Sequence, residues 1–177
     1  MSTPITTRED LTRIQWFAMS AYKNEKKAEE MLKGKDGLEY FIPKHYAVRV
    51  YHGVKSKRLV PVIPNLVFVH ASRKQITDFK KKYNFLQFMM WEKSTGLKYI
   101  VVPDKQMEDF MFVMDLNPDG VSLNSEILTV GHKVKVIKGE LSGIEGEVAI
   151  EANKTYVVIR IKDLLTASVK VPKSYLK

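Results

Sequence analysis

The fold of the N-terminal half is decided most directly by one stretch, Val60-Pro61-Val62-Ile63-Pro64-Asn65-Leu66-Val67-Phe68-Val69. Its last four residues are apolar, and they follow prolines and an asparagine, which are turn-forming residues. A short apolar run bounded in this way predicts a strand that is buried on both faces. The stretch therefore predicts a buried strand from Leu66 to Val69.

Further strands surround this one in the first 102 residues. Apolar and aromatic runs predict them at Ile14 to Ser20, Glu39 to Ile42, Tyr46 to Tyr51, Phe85 to Trp91 and Lys98 to Val102. After His52-Gly53 we expect a loop, because Lys55, Lys57 and Arg58 interrupt the apolar pattern. These strands predict an antiparallel sheet.

Three helices are predicted between the strands. Asn24 is a candidate cap for the first, which Gly34 ends, and Ser72 with Gln75 has the spacing of a capping box for the second. The third follows Pro103-Asp104 and carries apolar residues at helical spacing. Helices interleaved with antiparallel strands predict an α+β sandwich.

The character of the sequence changes after residue 116. Turn residues open a stretch without clear periodicity, so we expect a polar tail at 1–13, an α+β domain at 14–116, a linker at 117–129 and a second domain at 130–177. In the last of these, short strands alternate with glycine turns, which predicts a small β-barrel. Gly139, Gly143 and Gly146 are expected to take positive φ where the chain turns back.

Composition narrows the functional classes. The chain has a formal charge of +9 and no cysteine, so disulfides and thiolate chemistry are excluded, and a reducing cytoplasm is the expected location. Residues 1–116 hold 20 Lys and Arg against 13 Asp and Glu, which places the expected nucleic-acid surface there.

Neither an enzyme nor a membrane protein is expected. The four histidines are scattered, no phosphate-binding loop is present, and no apolar run is long enough to span a membrane. We therefore expect no catalytic residue, no metal site and no cofactor.

Several segments carry a family resemblance. Val130 to Val148, with its alternating valines and spaced glycines, resembles a KOW motif. Trp16-Phe17-Ala18-Met19, Phe41-Ile42-Pro43, Val60 to Val69 and Val101-Val102-Pro103-Asp104 resemble, in this order, the N-terminal (NGN) domain of the NusG family. The resemblance implies an NGN-like sandwich followed by an SH3-like KOW barrel, in a transcription elongation factor without enzymatic activity.

The chain departs from the general NusG pattern at two places. General NusG proteins carry glycine and tyrosine where this chain has Asn65 and Leu66, and the asparagine is similar to that of the specialised paralogue RfaH. The stretch Val60 to Val69, with Pro103 to Met107, looks most similar to UpxY antiterminators of capsular polysaccharide operons. In the predicted barrel, Glu140-Leu141 replace the usual Pro-Phe.

The resemblance also implies partners and site residues. An apolar patch of Ile63, Pro64, Leu66 and Phe68 would bind the clamp helices of the largest RNA polymerase subunit. The candidate nucleic-acid residues, for non-template DNA or nascent RNA, are Lys23, Lys26, Lys27, Lys55, Lys57 and Arg58. The KOW barrel would bind Rho or the ribosome. A housekeeping NusG and a ribosome-associated RNA-binding KOW protein are the alternatives.

Overall fold

A computed structural model of the chain describes residues 8–35, 37–93, 96–116, 121–124, 131–161 and 164–177. The chain divides into two compact units, the first comprising Met1–Pro43 with Ile63–Pro103 and the second Lys44–Val62 with Asp104–Lys177. Within the described ranges, no helix has the length and apolar character needed to cross a membrane.

The fold is mixed α+β, with antiparallel sheets. The helices are α1 Arg8–Thr12, α2 Glu25–Leu32, α3 Arg73–Lys82 and α4 Asp104–Leu116, with a 3-10 turn at Lys173–Tyr175. The strands of the first unit are β1 Ile14–Ser20, β2 Glu39–Phe41, β5 Leu66–Ser72, β6 Gln87–Phe88, β7 Met90–Lys93, β8 Gly96–Tyr99 and β9 Val101–Val102. Those of the second unit are β3 Lys44–Tyr51, β4 Val54–Pro61, β10 Val121–Asn124, β11 Lys133–Lys135, β12 Glu145–Glu151, β13 Lys154–Ile161 and β14 Leu165–Lys170.

The first unit is built on the sheet β2-β5-β1-β6, in which β9 also pairs with β1. Strands β1 and β5 run antiparallel from Ile14 opposite Ser72 to Ser20 opposite Leu66. Phe17 and Val67 lie in a core with α2 and α3, and the residues that point the other way, among them Ala18 and Phe68, are buried as well. The prediction of a strand buried on both faces is therefore confirmed.

Capping residues were predicted at the start of α2 and of α3, and the cap of α3 is confirmed. At α3, Ser72 Oγ accepts the Gln75 amide at 3.2 Å and Gln75 Oε1 accepts the Ser72 amide at 2.9 Å, which is the predicted capping box. At α2, the predicted cap Asn24 makes no side-chain cap bond, and its side-chain nitrogen donates to the Tyr22 carbonyl at 2.9 Å.

The predicted N-terminal tail is helical in its described part. Residues 1–7 lie outside the described residues, but Arg8–Thr12 form α1, with Glu9 and Asp10 in the first turn. Acidic side chains at that end favour a helix because they complement its dipole. The polar composition alone gave no periodic signal for so short an element.

The loop predicted after His52-Gly53 is a strand. Lys55, Lys57 and Arg58 belong to β4, which pairs with β3 from Lys44 opposite Pro61 to Tyr51 opposite Val54. His52 and Gly53 both have positive φ, 47° and 78°, as a two-residue hairpin turn requires. Both faces of the hairpin carry exposed residues, so the polar and apolar alternation that marks a half-buried strand is missing.

The C-terminal sheet has the order β10-β14-β13-β12-β11. Its first strand, Val121–Asn124, lies inside the stretch predicted as a linker and pairs with β14. The rest of that stretch, 117–120 and 125–129, lies outside the described residues. Four residues of strand are too few to produce a recognisable period, which explains the difference.

The three glycines of the predicted turns have different roles. Gly139 and Gly143 have φ of 79° and 97°, as predicted. Gly146 is wrongly placed in that group, because it lies within β12 and not in a positive-φ turn. There a Cβ atom would come within 2.6 Å of the Val158 carbonyl oxygen on the neighbouring strand.

Replacing Gly146 by alanine should therefore destabilise the second unit by about 1–3 kcal/mol, because the added methyl group overpacks a backbone contact. Urea denaturation of Gly146→Ala measures this. Gly53→Asn is the matched control, since the space around Gly53 is open and asparagine tolerates positive φ. A Gly146→Ala variant as stable as the parent would contradict the packing role.

Candidate functional site

The loop before β5 is tied to the start of α2 through Asn65. The Asn65 carbonyl accepts the Ala21 amide at 2.8 Å, and the Asn65 amide donates to Glu25 Oε1 at 2.5 Å. The Asn65 side-chain oxygen accepts the Lys23 amide. Asn65 has a φ of 70°, a conformation that asparagine adopts more readily than most residues. Backbone and side chain together therefore fix this loop to the turn that precedes α2.

That turn presents the predicted basic cluster. Tyr22 and Lys23 both have positive φ, 44° and 64°, and Lys23, Lys26 and Lys27 are exposed. Lys26 Nζ lies 4.0 Å from Glu30, and Lys27 Nζ lies 5.0 Å above the centre of the Phe85 ring. The structure brings these three cations to the first turn of α2 and the loop before it, as the sequence predicts.

The predicted apolar patch is only partly on the surface. Pro64 is exposed and Ile63 is half-buried, but Leu66 and Phe68 are 3% and 0% exposed. The expectation that Leu66 and Phe68 belong to a patch that contacts the polymerase is therefore corrected, because both side chains lie in the core. The physical reason is the position of β5, which lies between β2 and β1 and is buried on both faces.

The hairpin β3–β4 forms a second exposed basic surface. Residues 44–61 contain five Lys and Arg and no acidic residue. Lys55 and Lys57 lie opposite Val50 and Val48, on one face, and Arg58 points to the other face. Lys57 Nζ lies 4.3 Å above the Tyr46 ring. The three cations predicted as one loop cluster are thus divided between two faces of a ribbon.

An ionic contact joins α4 to the C-terminal sheet. Lys105 Nζ donates to Asp109 Oδ1 at 2.6 Å, and the other Asp109 oxygen accepts the Glu145 amide at 3.2 Å. Glu145 also pairs with Lys135 at 3.0 Å. Asp109 is only 5% exposed, and these partners satisfy both of its carboxylate oxygens. The i,i+4 spacing of Lys105 and Asp109 was a signal for this pair that sequence reasoning missed.

The same contact shifts two pKa values. The hydrogen bond to Asp109 raises the pKa of Lys105, and the hydrogen bond from Lys135 lowers the pKa of Glu145. The pairing of Lys105 is therefore retained at neutral pH and lost as the pH rises through its raised pKa. That of Glu145 is lost as the pH falls through its lowered pKa.

A cavity of about 420 Å³ lies beside this contact, between α4 and the sheet. Its lining includes cations and carboxylates, and Arg160 pairs with Glu147 at 3.0 Å. In the described part of the chain, no group of three His, Cys, Asp or Glu side chains is placed to hold a metal ion.

The His70 side chain contacts two neighbours in the first sheet. Its Nδ1 lies 3.1 Å from Glu39 Oε2, and its ring stacks on Trp16 with centroids 4.7 Å apart. Both neighbours hold the imidazole in the sheet.

The candidate site of this α+β chain consists of exposed cations and an apolar loop held by hydrogen bonds. Such a surface is typical of proteins that bind other macromolecules. The family described as "Transcription termination factor nusG" matches residues 14–111, and the chain belongs to the NusG family. Proteins of this family are non-enzymatic transcription factors that bind RNA polymerase, which makes this chain a transcription elongation or termination factor. No curated protein matches the chain.

Two substitutions of Asn65 distinguish the stability contributed by its side-chain hydrogen bond from the strain of its positive φ. Asn65→Gly keeps the positive φ but removes the acceptor for the Lys23 amide, which should cost about 1 kcal/mol. Asn65→Ala loses the same bond and adds the strain of a left-handed residue, about 1–2 kcal/mol more. Urea denaturation should rank the proteins in the order parent, glycine, alanine. An alanine variant at least as stable as the glycine variant would contradict this ranking.

Proposed function

We propose that this chain is a specialised antitermination factor that binds RNA polymerase and suppresses pausing or termination, with capsular polysaccharide operons as its targets. The observation that carries the proposal is the Asn65 connection, which fixes an exposed Pro64 and a half-buried Ile63 beside the basic start of α2. Asparagine in place of the family's usual glycine favours the specialised factor over a housekeeping NusG.

The polymerase contact is assigned to the loop and not to the strand that follows. Ile63 and Pro64 would dock on the clamp helices of the largest subunit, because an apolar residue and a proline held rigidly at the surface form a good anchor. Leu66 and Phe68, which are buried, would support the loop from beneath. The proposed polymerase contact thus stays within residues 63–68, but only Ile63 and Pro64 touch the clamp helices.

Nucleic acid would be contacted through the exposed cations. Lys23, Lys26 and Lys27 at α2 are the candidates for non-template DNA, and Lys55, Lys57 and Arg58 in the hairpin for DNA, nascent RNA or the polymerase itself. Contacts of this kind are made to phosphates, so they raise affinity in a salt-dependent manner and read little sequence. Acting on a transcribing polymerase, the factor would work in the cytoplasm.

The C-terminal sheet is assigned to the KOW type. The buried Val134 and Val136 and the positive-φ glycines Gly139 and Gly143 support an SH3-like barrel. Its partner would be Rho or the ribosome, with Glu140-Leu141 as the position at which its surface departs from the family pattern.

The test is a pair of substitutions in the first unit. Ile63→Asp places a charge in the proposed anchor, and Leu97→Asp places one on an apolar residue that is 60% exposed elsewhere. Ile63→Asp should weaken binding to purified core polymerase at least about tenfold, which corresponds to a loss of about 1.4 kcal/mol at an interface anchor. Leu97→Asp should bind as the parent does.

Read-through of a terminator in purified transcription, measured on the same proteins, tests the activity. The parent and Leu97→Asp should raise read-through and Ile63→Asp should not, while circular dichroism verifies that all three are folded. Ile63→Asp binding as tightly as the parent would refute the anchor. A folded parent that lowers read-through would instead indicate a termination factor.

A further inference from the structure

The cavity of about 420 Å³ beside α4 lies within the second unit, between a helix and a sheet. Lys105, Gln106 and Asp109 of α4 line one side, and the other lining residues come from β11, β12, β13 and Lys177. A volume of this size is within the range of sites that hold small molecules. The charges of the lining indicate which kind of molecule would fit.

Each carboxylate side chain of the lining forms an ion pair with a cation of the lining. The pairs are Asp109 with Lys105, Glu145 with Lys135, and Glu147 with Arg160, at 2.6, 3.0 and 3.0 Å. They occupy three of the five lysine and arginine side chains that line the cavity. A ligand in the cavity therefore meets carboxylates whose charge is already compensated.

The two other lysines of the lining, Lys133 and Lys177, form no ion pair within the described part of the chain. Both lie on the same face of the sheet as Lys135. Lys133 is two residues before Lys135 on β11, and Lys177 exchanges backbone hydrogen bonds with Lys135 at 2.8 and 3.0 Å. Two uncompensated ammonium groups on one face favour an anion with a double charge.

The helix side of the cavity contributes an acceptor. Gln106 Oε1 is buried, and among the described residues it has no hydrogen-bond partner. A buried acceptor without a donor is uncommon in proteins, because it has lost its hydrogen bonds to water without gaining others. A ligand that carries an O–H or N–H group would supply the donor.

We propose that this cavity binds a phosphate monoester that also carries hydroxyl or N–H donors, as a sugar phosphate or a nucleoside monophosphate does. Its phosphate group, with a charge of about −1.5 to −2 at neutral pH, lies between Lys133 and Lys177. A donor elsewhere in the ligand bonds Gln106 Oε1. The inference does not rest on the proposed antitermination activity, and its test needs neither polymerase nor nucleic acid.

A cavity without a ligand makes a different prediction. Its lysines would then be ordinary solvated side chains, and they would attract phosphate no better than other lysines of the same sheet. Lys154 of β13 and Lys170 of β14 are exposed and do not belong to the lining, so they provide a matched control of equal charge.

The first experiment is isothermal titration calorimetry of the whole chain with AMP, ribose 5-phosphate, adenosine and inorganic phosphate. At least one of the two esters should bind with a Kd below about 1 mM. Adenosine lacks the double charge, and inorganic phosphate is too small to reach both sides, so each should bind at least about tenfold more weakly. Binding of both esters would place the donor on the sugar, and binding of AMP alone would place it on the base. Kd values above about 1 mM for both esters, or equally tight binding of inorganic phosphate, would overturn the proposal.

The second experiment titrates three variants with the tighter ester. Lys133→Gln/Lys177→Gln should weaken binding at least about tenfold and remove most of its salt dependence, whereas the control Lys154→Gln/Lys170→Gln should bind as the parent does. Gln106→Met should weaken binding at least about threefold and leave the salt dependence unchanged, because it removes a neutral acceptor. Circular dichroism verifies that the variants are folded. Equal losses in the two lysine pairs, or parental binding by a folded Gln106→Met, would overturn the proposal.

Discussion

The antiparallel pairing of β1 with β5 joins seven residue pairs in the middle of the first sheet, and the other features of that unit are built on it. Side chains on both sides of these strands are buried, and each large one contributes about 1.5–3 kcal/mol of hydrophobic stabilisation. Because β5 is held in the sheet, the end of the loop that precedes it is held as well. The hydrogen bonds of Asn65 join this loop to the start of α2, where the exposed lysines lie.

Local signals explain what the sequence predicted well. The apolar run from Leu66 to Val69 and the capping box at Ser72 each specify an element through residues close together in the chain. The β-branched residues of the C-terminal region likewise form strands and not helices. What was missed depends on distant contacts. The hydrogen bonds of Asn65 join residues about 40 positions apart.

Charge counts alone could not distinguish the lysines from one another. The run Lys80-Lys81-Lys82 looks uniform in the sequence, yet the structure gives each lysine a different neighbour. Lys80 lies over Phe88, Lys81 pairs with Asp78, and Lys82 lies 5.4 Å from the centre of the Tyr83 ring. The positions of the aromatic and acidic side chains, which the sequence does not reveal, therefore distinguish lysines that a charge count treats alike.

The most direct measurement is photo-crosslinking from the loop within a reconstituted elongation complex. A photoreactive residue replaces Pro64, and a second protein carries it in place of Ile150, which is 67% exposed on the C-terminal sheet. Mass spectrometry of the products identifies the polymerase peptides that each position reaches. We expect position 64 to crosslink to the clamp helices of the largest subunit and position 150 not to do so. Crosslinks from position 64 only to other subunits, or the same products from both positions, would contradict the docking of this loop on the clamp helices.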